Sequence, residues 1–554
     1  MPARYFYNEN LAVQSKCRNF AQKKLIMGKY INRGNDVFTG YTNSDYVDKT
    51  GLVGYINSTI ETASRLTCVT RPRRFGKSMA AHMLYAYYDK SADSRKLFCN
   101  YQIAHDPSFE RHLNKYPTIF IDITEFTTRF EGDSGIVERM QSLLIKDLTK
   151  TYPDVEIDED DDLMDVLLNI AIKTGEKFVV IIDEWDALCR ETADNPQLMN
   201  RYINLLRRMF KSSDTARVFA CVYMTGILPI KRYGTQSALN DFREFSMANP
   251  GQLAGYIGFT DKEVSKLCDR YGMNYKDMEA WYDGYYFGPE YPSVFNPNSV
   301  MTACSSKIYD NYWGNTSLFE TLQQYIDLDL DNVSEKLDKI LRGEKVTVST
   351  LRFGFDVNAI GSDDELFTLF IHLGYLSYNI DDKTIQIPNK EIRMEFVEAV
   401  RGSNSHKELA KMIKESDKLV KATWTKNEEA VAKAIEQIHS QQTAPDFYNN
   451  EQALRSVVNL AYISAIDHYI SIQELPSGKG YADIVFIPRT NSSNPAMIVE
   501  LKWNKSVEAA IDQIKRQNYP QAISSYTGKI LLVGINYDEK TKHHSCKIEE
   551  WDAD

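Results

Sequence analysis

The sequence has no long apolar run and no paired cysteines, and each absence excludes a class of protein. Nowhere do ~18 consecutive apolar residues occur, as a membrane helix requires. Met1-Pro2-Ala3-Arg4-Tyr5 lacks the apolar core of a secretory leader, so a cytoplasmic protein without membrane contact is expected. The eight cysteines form no C-x-x-C pair and have no histidine at zinc spacing. Reduced, mostly buried thiols follow, rather than a disulfide framework. Excess positive charge is missing too. The net charge of −11 argues against a protein that coats nucleic acid nonspecifically and confines any DNA contact to a local groove. What remains is an ordinary globular composition, 43% hydrophobic and 25% charged. At ~100–200 residues per domain, 554 residues hold about three or four domains.

Arg71-Pro72-Arg73-Arg74-Phe75-Gly76-Lys77-Ser78 follows the apolar run Leu66 to Thr70 and opens a helix-patterned segment from Met79 to Tyr88. This is phosphate-loop chemistry. Gly76 permits a tight turn, Lys77 can reach the outer phosphates, Ser78 can ligate magnesium, and the new helix aims free N–H groups at an anion. Arg74, Phe75 and Met79 flank that cradle. The first glycine of G-x-x-x-x-G-K-S is replaced by Arg71. A basic turn capping a core helix is the competing explanation for the loop alone.

Phe178 to Ile182 is an apolar, β-branched run that delivers Asp183 and Glu184 at its carboxyl end. In phosphate-loop ATPases the first acid holds magnesium and the second polarises the attacking water. A third run, Arg217 to Tyr223, leads to Met224-Thr225-Gly226 and places the Thr225 hydroxyl where the γ-phosphate would be sensed. Strand ends that converge on one crevice predict an open, doubly wound parallel sheet binding ATP with Mg2+. Asp48, Lys49 and Thr50 precede a helix over 51–64; they line the adenine or ribose side, or Asp48 and Thr50 cap that helix. Arg207 and Arg208 act across to a neighbouring subunit in a homo-oligomer, or form a solvated basic face. Asp158 to Asp162 reads as a solvated loop before the helix 163–174.

Four regions are expected: an irregular lead-in over 1–40, an ATPase domain over 41–250, a connector over 251–403 and a last domain over 404–554. In the connector, Thr260 and Glu263 form a capping box. The aromatics from Trp281 to Phe287 and from Tyr312 to Trp313 stack nucleic-acid bases or pack a helical core. Helices over 364–372 and 390–400 with a hairpin over 375–387 suggest a winged-helix module.

The last hundred residues carry separate chemistry. Asp483 lies in the strand-like run 481–488, and Glu500 and Lys502 lie two apart in the run 496–502, hence on one face. Asp483 and Glu500, with Glu451 from the preceding helix, can clamp Mg2+ or Mn2+. Lys502 can orient water or offset charge on a scissile phosphate. A Gly478-Lys479-Gly480 turn, a helix with Gln513, Tyr519, and a closing strand over 529–533 complete the order. The bland alternative is an exposed Glu500–Lys502 ion pair worth under about 1 kcal/mol.

From Tyr46 onward the chain resembles AAA-ATPase-like proteins with a C-terminal PD-(D/E)XK nuclease domain. The resemblance rests on Tyr46 to Thr50, Arg71 to Ser78, Trp281 to Tyr285, Gly374 to Leu376, Ile387 to Glu391 and Glu500 to Lys502. It accounts for Arg71, since that family uses the same loop form, while Trp185 stands where tyrosine is usual. It implies an ATP-controlled, metal-dependent nuclease acting on nucleic acid, DNA before RNA, with defence against foreign DNA as one setting. The rivals are a nucleotide-switched scaffold and an ATPase motor whose last domain only grips substrate.

Overall fold

The computed structural model describes residues 28–192, 195–230, 239–314, 318–328, 330–351, 360–441, 451–477, 480–488, 494–523, 526 and 528–551. Within those bounds the chain divides into two compact units. The first takes 1–275, 283–301 and 347–385; the second takes 276–282, 302–346 and 386–554.

The first unit begins with α1 (Asp36–Thr42) and α2 (Gly51–Thr59). β1 (Leu66–Thr70) leads through the basic loop into α3 (Lys77–Tyr88). β2 (Thr118–Asp122), α4 (Ile123–Arg129), α5 (Ile136–Thr151) and α6 (Leu163–Thr174) follow. Then come β3 (Phe178–Asp183), α7 (Ala187–Glu191), α8 (Pro196–Phe210), β4 (Phe219–Gly226) and β5 (Arg243–Phe245). The strands form a five-stranded parallel sheet in the order β2-β3-β4-β1-β5. β1, β3 and β4 are buried along their whole length, which is why their sequences are continuous apolar runs rather than alternating ones. This is the doubly wound α/β architecture expected.

Part of the expected lead-in is structured. Tyr30 and Ile31 are buried, Ile31 bridges to Ile119, and α1 buries Phe38. Its apolar residues are too few to show periodicity, but they are enough to seal the edge of β2. The capping box at Thr260 and Glu263 opens α9 (Asp261–Tyr271) as expected.

The connector is shared between units. α10 (Asp363–Leu373) and the neighbouring strands β6 (Ser377–Asn379) and β7 (Thr384–Gln386) have the winged-helix order. The unit boundary, however, falls between Ile385 and Gln386, just before α11 (Lys390–Gly402). α11 packs instead on the helix Leu318–Ile326 and on α12 (Lys407–Trp424). Trp281, Tyr282, Tyr285, Phe287 and Trp313 are all buried, so the aromatic clusters are core rather than a base-stacking surface.

The second unit continues with α13 (Glu428–Gln441) and α14 (Glu451–Ala461). Its sheet runs β8 (Tyr469–Ser477), β9 (Gly480–Pro488), β10 (Ala496–Trp503), β11 (Ile530–Asp538) and β12 (His543–Trp551), with α15 (Val507–Arg516) between β10 and β11. Only β10 and β11 are parallel. The strand expected to close this sheet, now β11, is internal, and β12 forms the edge. β12 escaped detection because an edge strand half open to water carries little apolar sequence. The Gly478-Lys479 part of the expected turn lies outside the described residues. All seven described cysteines are free thiols. Among the described residues no helix is long and apolar enough to cross a membrane.

Candidate functional site

The first site sits at the carboxyl ends of β1, β3 and β4. Gly76 adopts φ +90°, the left-handed turn that lets α3 start at Lys77 with its N–H groups free. A cavity of about 570 Å³ opens over this turn. Arg74, Phe75, Gly76, Lys77, Ser78 and Met79 all line it. Arg71 does not. It is fully buried, donates to the carbonyls of Thr70 and Phe245, and stacks on Phe287 at 4.7 Å, tying the loop's first residue to β5.

Lys77 is held low in the cradle. Its Nζ donates to Pro72 O at 3.1 Å and pairs with Glu184 Oε1 at 3.2 Å. Glu184 stands on the strained turn after β3, at φ +50°. Its other oxygen meets Arg190 Nη2 at 2.7 Å. Burial pushes the Glu184 carboxyl up, but Lys77, Arg190 and Arg73 outweigh burial and hold it below the usual carboxylate range. Asp183 is buried deeper, and burial raises it to about 6 despite a hydrogen bond from Ser78. Ser78 and Asp183 therefore meet at one point, with an oxygen set that suits magnesium. The Thr225 hydroxyl is fully buried and donates to Asp183 Oδ1 at 3.1 Å, so it orients that carboxylate.

Asp48 accepts from Thr50 N at 2.9 Å, Thr50 Oγ1 at 2.7 Å and Gln102 N at 2.7 Å and does not line the cavity; no side chain caps the first turn of α2. Lys49 does line it, yet its Nζ is committed to Gly255 O at 2.9 Å and Glu263 Oε2 at 2.5 Å. Arg208 pairs with Asp162 and Asp165 at 2.8 and 2.6 Å, and Arg207 donates to Asn204 at 3.5 Å. Both belong to the solvated face.

Sequence reasoning missed Arg190, which bridges Glu184 and Asp186. Asp186 in turn accepts from Ile227 N and Leu228 N just after β4, at 3.1 and 2.9 Å. Gly226 is needed there, because a Cβ would stand 2.6 Å from Asp186 and 2.5 Å from Trp185. The i, i+4 spacing of Asp186 and Arg190 was the available signal.

The second site lies on β9 and β10. Their antiparallel register pairs Ile484 with Val499, so Asp483 and Glu500 stand opposite one another at the next position. Both are buried, as is Lys502. Lys502 Nζ donates to Glu500 Oε1 at 2.8 Å and to Leu501 O at 2.9 Å. Asp483 Oδ2 accepts from Leu501 N at 2.9 Å, and its Oδ1 from Arg455 Nη2 at 2.5 Å. Glu500 Oε2 is buried without a hydrogen-bond partner. Burial, helped by the Asp483 charge, raises the Glu500 carboxyl to about 7. The exposed surface pair is thus excluded: these charges are inside.

An orphaned carboxylate oxygen beside a second carboxylate suits a divalent cation. Among the described residues no group of three or more His, Cys, Asp or Glu gathers around such a point. The Glu451 side chain, expected as the third ligand, lies outside the described residues. Arg455, one helical turn beyond it on α14, was not anticipated. Tyr519 accepts from Gln513 Nε2 at 3.2 Å and donates to Tyr481 O at 2.9 Å, bracing the end of β9.

Residues 39–235 match the "Predicted AAA-ATPase" family model, and residues 449–550 match the PD-(D/E)XK nuclease superfamily. The chain carries an AAA-ATPase-like domain and a PD-(D/E)XK nuclease-like domain. The two domains imply use of a nucleotide and a divalent metal. Among solved structures, the Walker-type ATPase of Pyrococcus abyssi is similar at TM-score 0.30 and 12% identity, covering 63% of this chain and 94% of its own. The ORC2 protein of Aeropyrum pernix, solved in ADPNP and ADP complexes, is similar at TM-score 0.24 and 10% identity, covering 66% and 98%. No curated protein matches the chain.

Proposed function

We propose that this protein is an ATP-controlled, Mg2+-dependent nuclease, with Mn2+ able to substitute, that cleaves nucleic acid, DNA in preference to RNA. The observation that carries the reading is the register that sets Asp483 beside Glu500, with one Glu500 oxygen unpartnered and Lys502 adjoining. Asp483 and Glu500 would hold a divalent metal there, and it would supply Lewis-acid polarisation of the scissile phosphate and a more acidic water. Lys502 supplies a positive charge beside that phosphate, and Leu501 N fixes the rotation of Asp483. In the ATPase-like domain, Lys77 takes the outer phosphates, Ser78 and Asp183 hold magnesium, and Glu184 orients the attacking water. Self-association and defence against foreign DNA extend this proposal.

The Arg455 guanidinium on Asp483 favours a second reading. An acid already neutralised by arginine suits a nucleotide-switched binding protein whose nuclease-like domain does not cut.

Cleavage of plasmid and single-stranded DNA with Mg2+ or Mn2+, with and without ATP, separates the two. Cutting that needs ATP and vanishes in Asp483→Ala, with nucleotide affinity intact, is expected. Metal-dependent cutting retained by Asp483→Ala would remove the site assignment. DNA binding without cutting in the wild type would favour the second reading.

A further inference from the structure

Another cavity, within the second unit, is unexplained by either domain's chemistry. It encloses about 310 Å³ and is lined by Gln386, Lys390, Arg393, Asn459, Tyr462 and Phe486 among others. Lys390 and Arg393 stand three residues apart at the start of α11, hence on one face. The free N–H groups of that first turn add positive potential beside them. Asn389 caps the helix, accepting from Ile392 N at 3.0 Å.

Arg393 is the informative residue. Its guanidinium donates to Leu341 O at 2.5 Å, and burial alone lowers it to about 10. No carboxylate of the described residues pairs with it. The acids of its own helix turn elsewhere: Glu391 accepts from Tyr312 N at 3.0 Å, and Glu395 accepts from Asn311 Nδ2. Asp277 lies near Lys390, which counters the rise that burial gives its carboxyl, but it does not line the cavity. A charge partly withdrawn from water without counter-charge is unfavourable unless something supplies one. Arg71 is the contrast: it is fully buried with two carbonyls and the Phe287 ring around it, whereas Arg393 is half-buried. Arg393 has one carbonyl and an open cavity.

We propose that this cavity binds a phosphomonoester of the nucleotide class, its dianionic phosphate against Arg393 and Lys390 and its organic part against Tyr462 and Phe486. Two cations and a helix N-terminus match a terminal phosphate better than a singly charged diester. Aromatic walls suit a base. The site is independent of cleavage and of the phosphate loop.

Hydrogen exchange on the full chain reads the site locally. Probes are inorganic phosphate, AMP, adenosine, and a thymidine octamer with and without a 5′-phosphate. Protection of residues 386–393 and 340–343 by AMP or by the phosphorylated octamer is expected. AMP binding marks a free nucleotide as the source; protection by the octamer alone marks a strand end. Arg393→Met should weaken that protection at least ~10-fold, with unfolding temperature unchanged or higher, because the stem still packs and an uncompensated charge is gone. Arg393→Lys, which keeps charge but loses the fork, should fall between. No protection by any phosphate, equal protection by adenosine or the unphosphorylated octamer, or unaltered binding in Arg393→Met would overturn the proposal.

Discussion

Glu184 is the residue on which the first site turns, because it touches both the phosphate-loop lysine and an arginine. With Lys77 on one oxygen and Arg190 on the other, its carboxylate is fixed before any nucleotide arrives. An incoming phosphate competes for Lys77, which leaves Arg190 as the group that keeps Glu184 in place. Arg190→Ala should therefore leave nucleotide affinity within about threefold of wild type while lowering ATP turnover at least ~10-fold. Equal losses in both would mean that Arg190 binds nucleotide directly. The buried acid of the second site gives a pH signature. Glu500 is raised to about 7, so the folded chain holds its proton between pH 4.5 and 7. That contribution is full below the unfolded value and is lost as pH rises through about 7. Metal-free protein should lose up to roughly 3 kcal/mol over this window, and Glu500→Gln should not. Thermal unfolding in chelator at pH 5 and pH 8 checks this: parallel curves for the two proteins would place the pH dependence elsewhere.

At the scale of elements, α13 against β12 shows what one edge strand depends on. His439 Nδ1 and His544 Nε2 meet at 3.0 Å, Glu436 accepts from His544 N at 3.1 Å and pairs with His543 at 3.0 Å, and Glu428 accepts from Ile548 N at 2.8 Å. Burial lowers His544 to about 3; neighbouring His439 and His543 add to this and Glu436 opposes it. A depressed histidine stabilises the fold above its unfolded value of 6.5, and that contribution is lost as pH falls toward 3. Between those limits the second unit should lose up to about 1.4 kcal/mol per pH unit, less in His544→Gln. Acid titration followed by near-ultraviolet dichroism would show it; an unchanged slope in the variant would exclude the pair as the source. β12 was also the element hidden in the sequence. β1, β3 and β4 declared themselves because burial on both faces demands unbroken β-branched runs. His543-His544-Ser545-Cys546-Lys547 carries no such run, since one edge pairs with β11 and α13 covers only part of its face. The same logic holds at the sites. Motif residues that line the phosphate-loop cavity, from Arg74 to Ser78, were legible because their chemistry fixes their spacing. Arg455 was not, and Arg190 left only its i, i+4 spacing to Asp186, because an arginine that positions an acid can come from any helix within reach.

For the whole molecule, the question is what nucleotide would do for the proposed cutting site elsewhere in the chain. Asp183 and Ser78 meet at a point suited to magnesium, and in the proposed function Glu184 orients the attacking water; on that reading binding and turnover are separable by mutation. Glu184→Gln removes the charge that polarises water but keeps an acceptor for Lys77, so ATP should stay bound and uncleaved. If bound ATP is the signal, Glu184→Gln should cut DNA at least as fast as wild type in ATP, and a non-hydrolysable analogue should support cutting by both. Lys77→Ala, which loses the phosphate contact, should not cut under any nucleotide. If repeated turnover is the signal, Glu184→Gln should be inactive in ATP, and the protein would be a motor that feeds its nuclease-like domain. DNA cleavage scored beside phosphate release in the same tube decides between them, because only the first model lets the ratio of cuts to ATP hydrolysed rise in the variant.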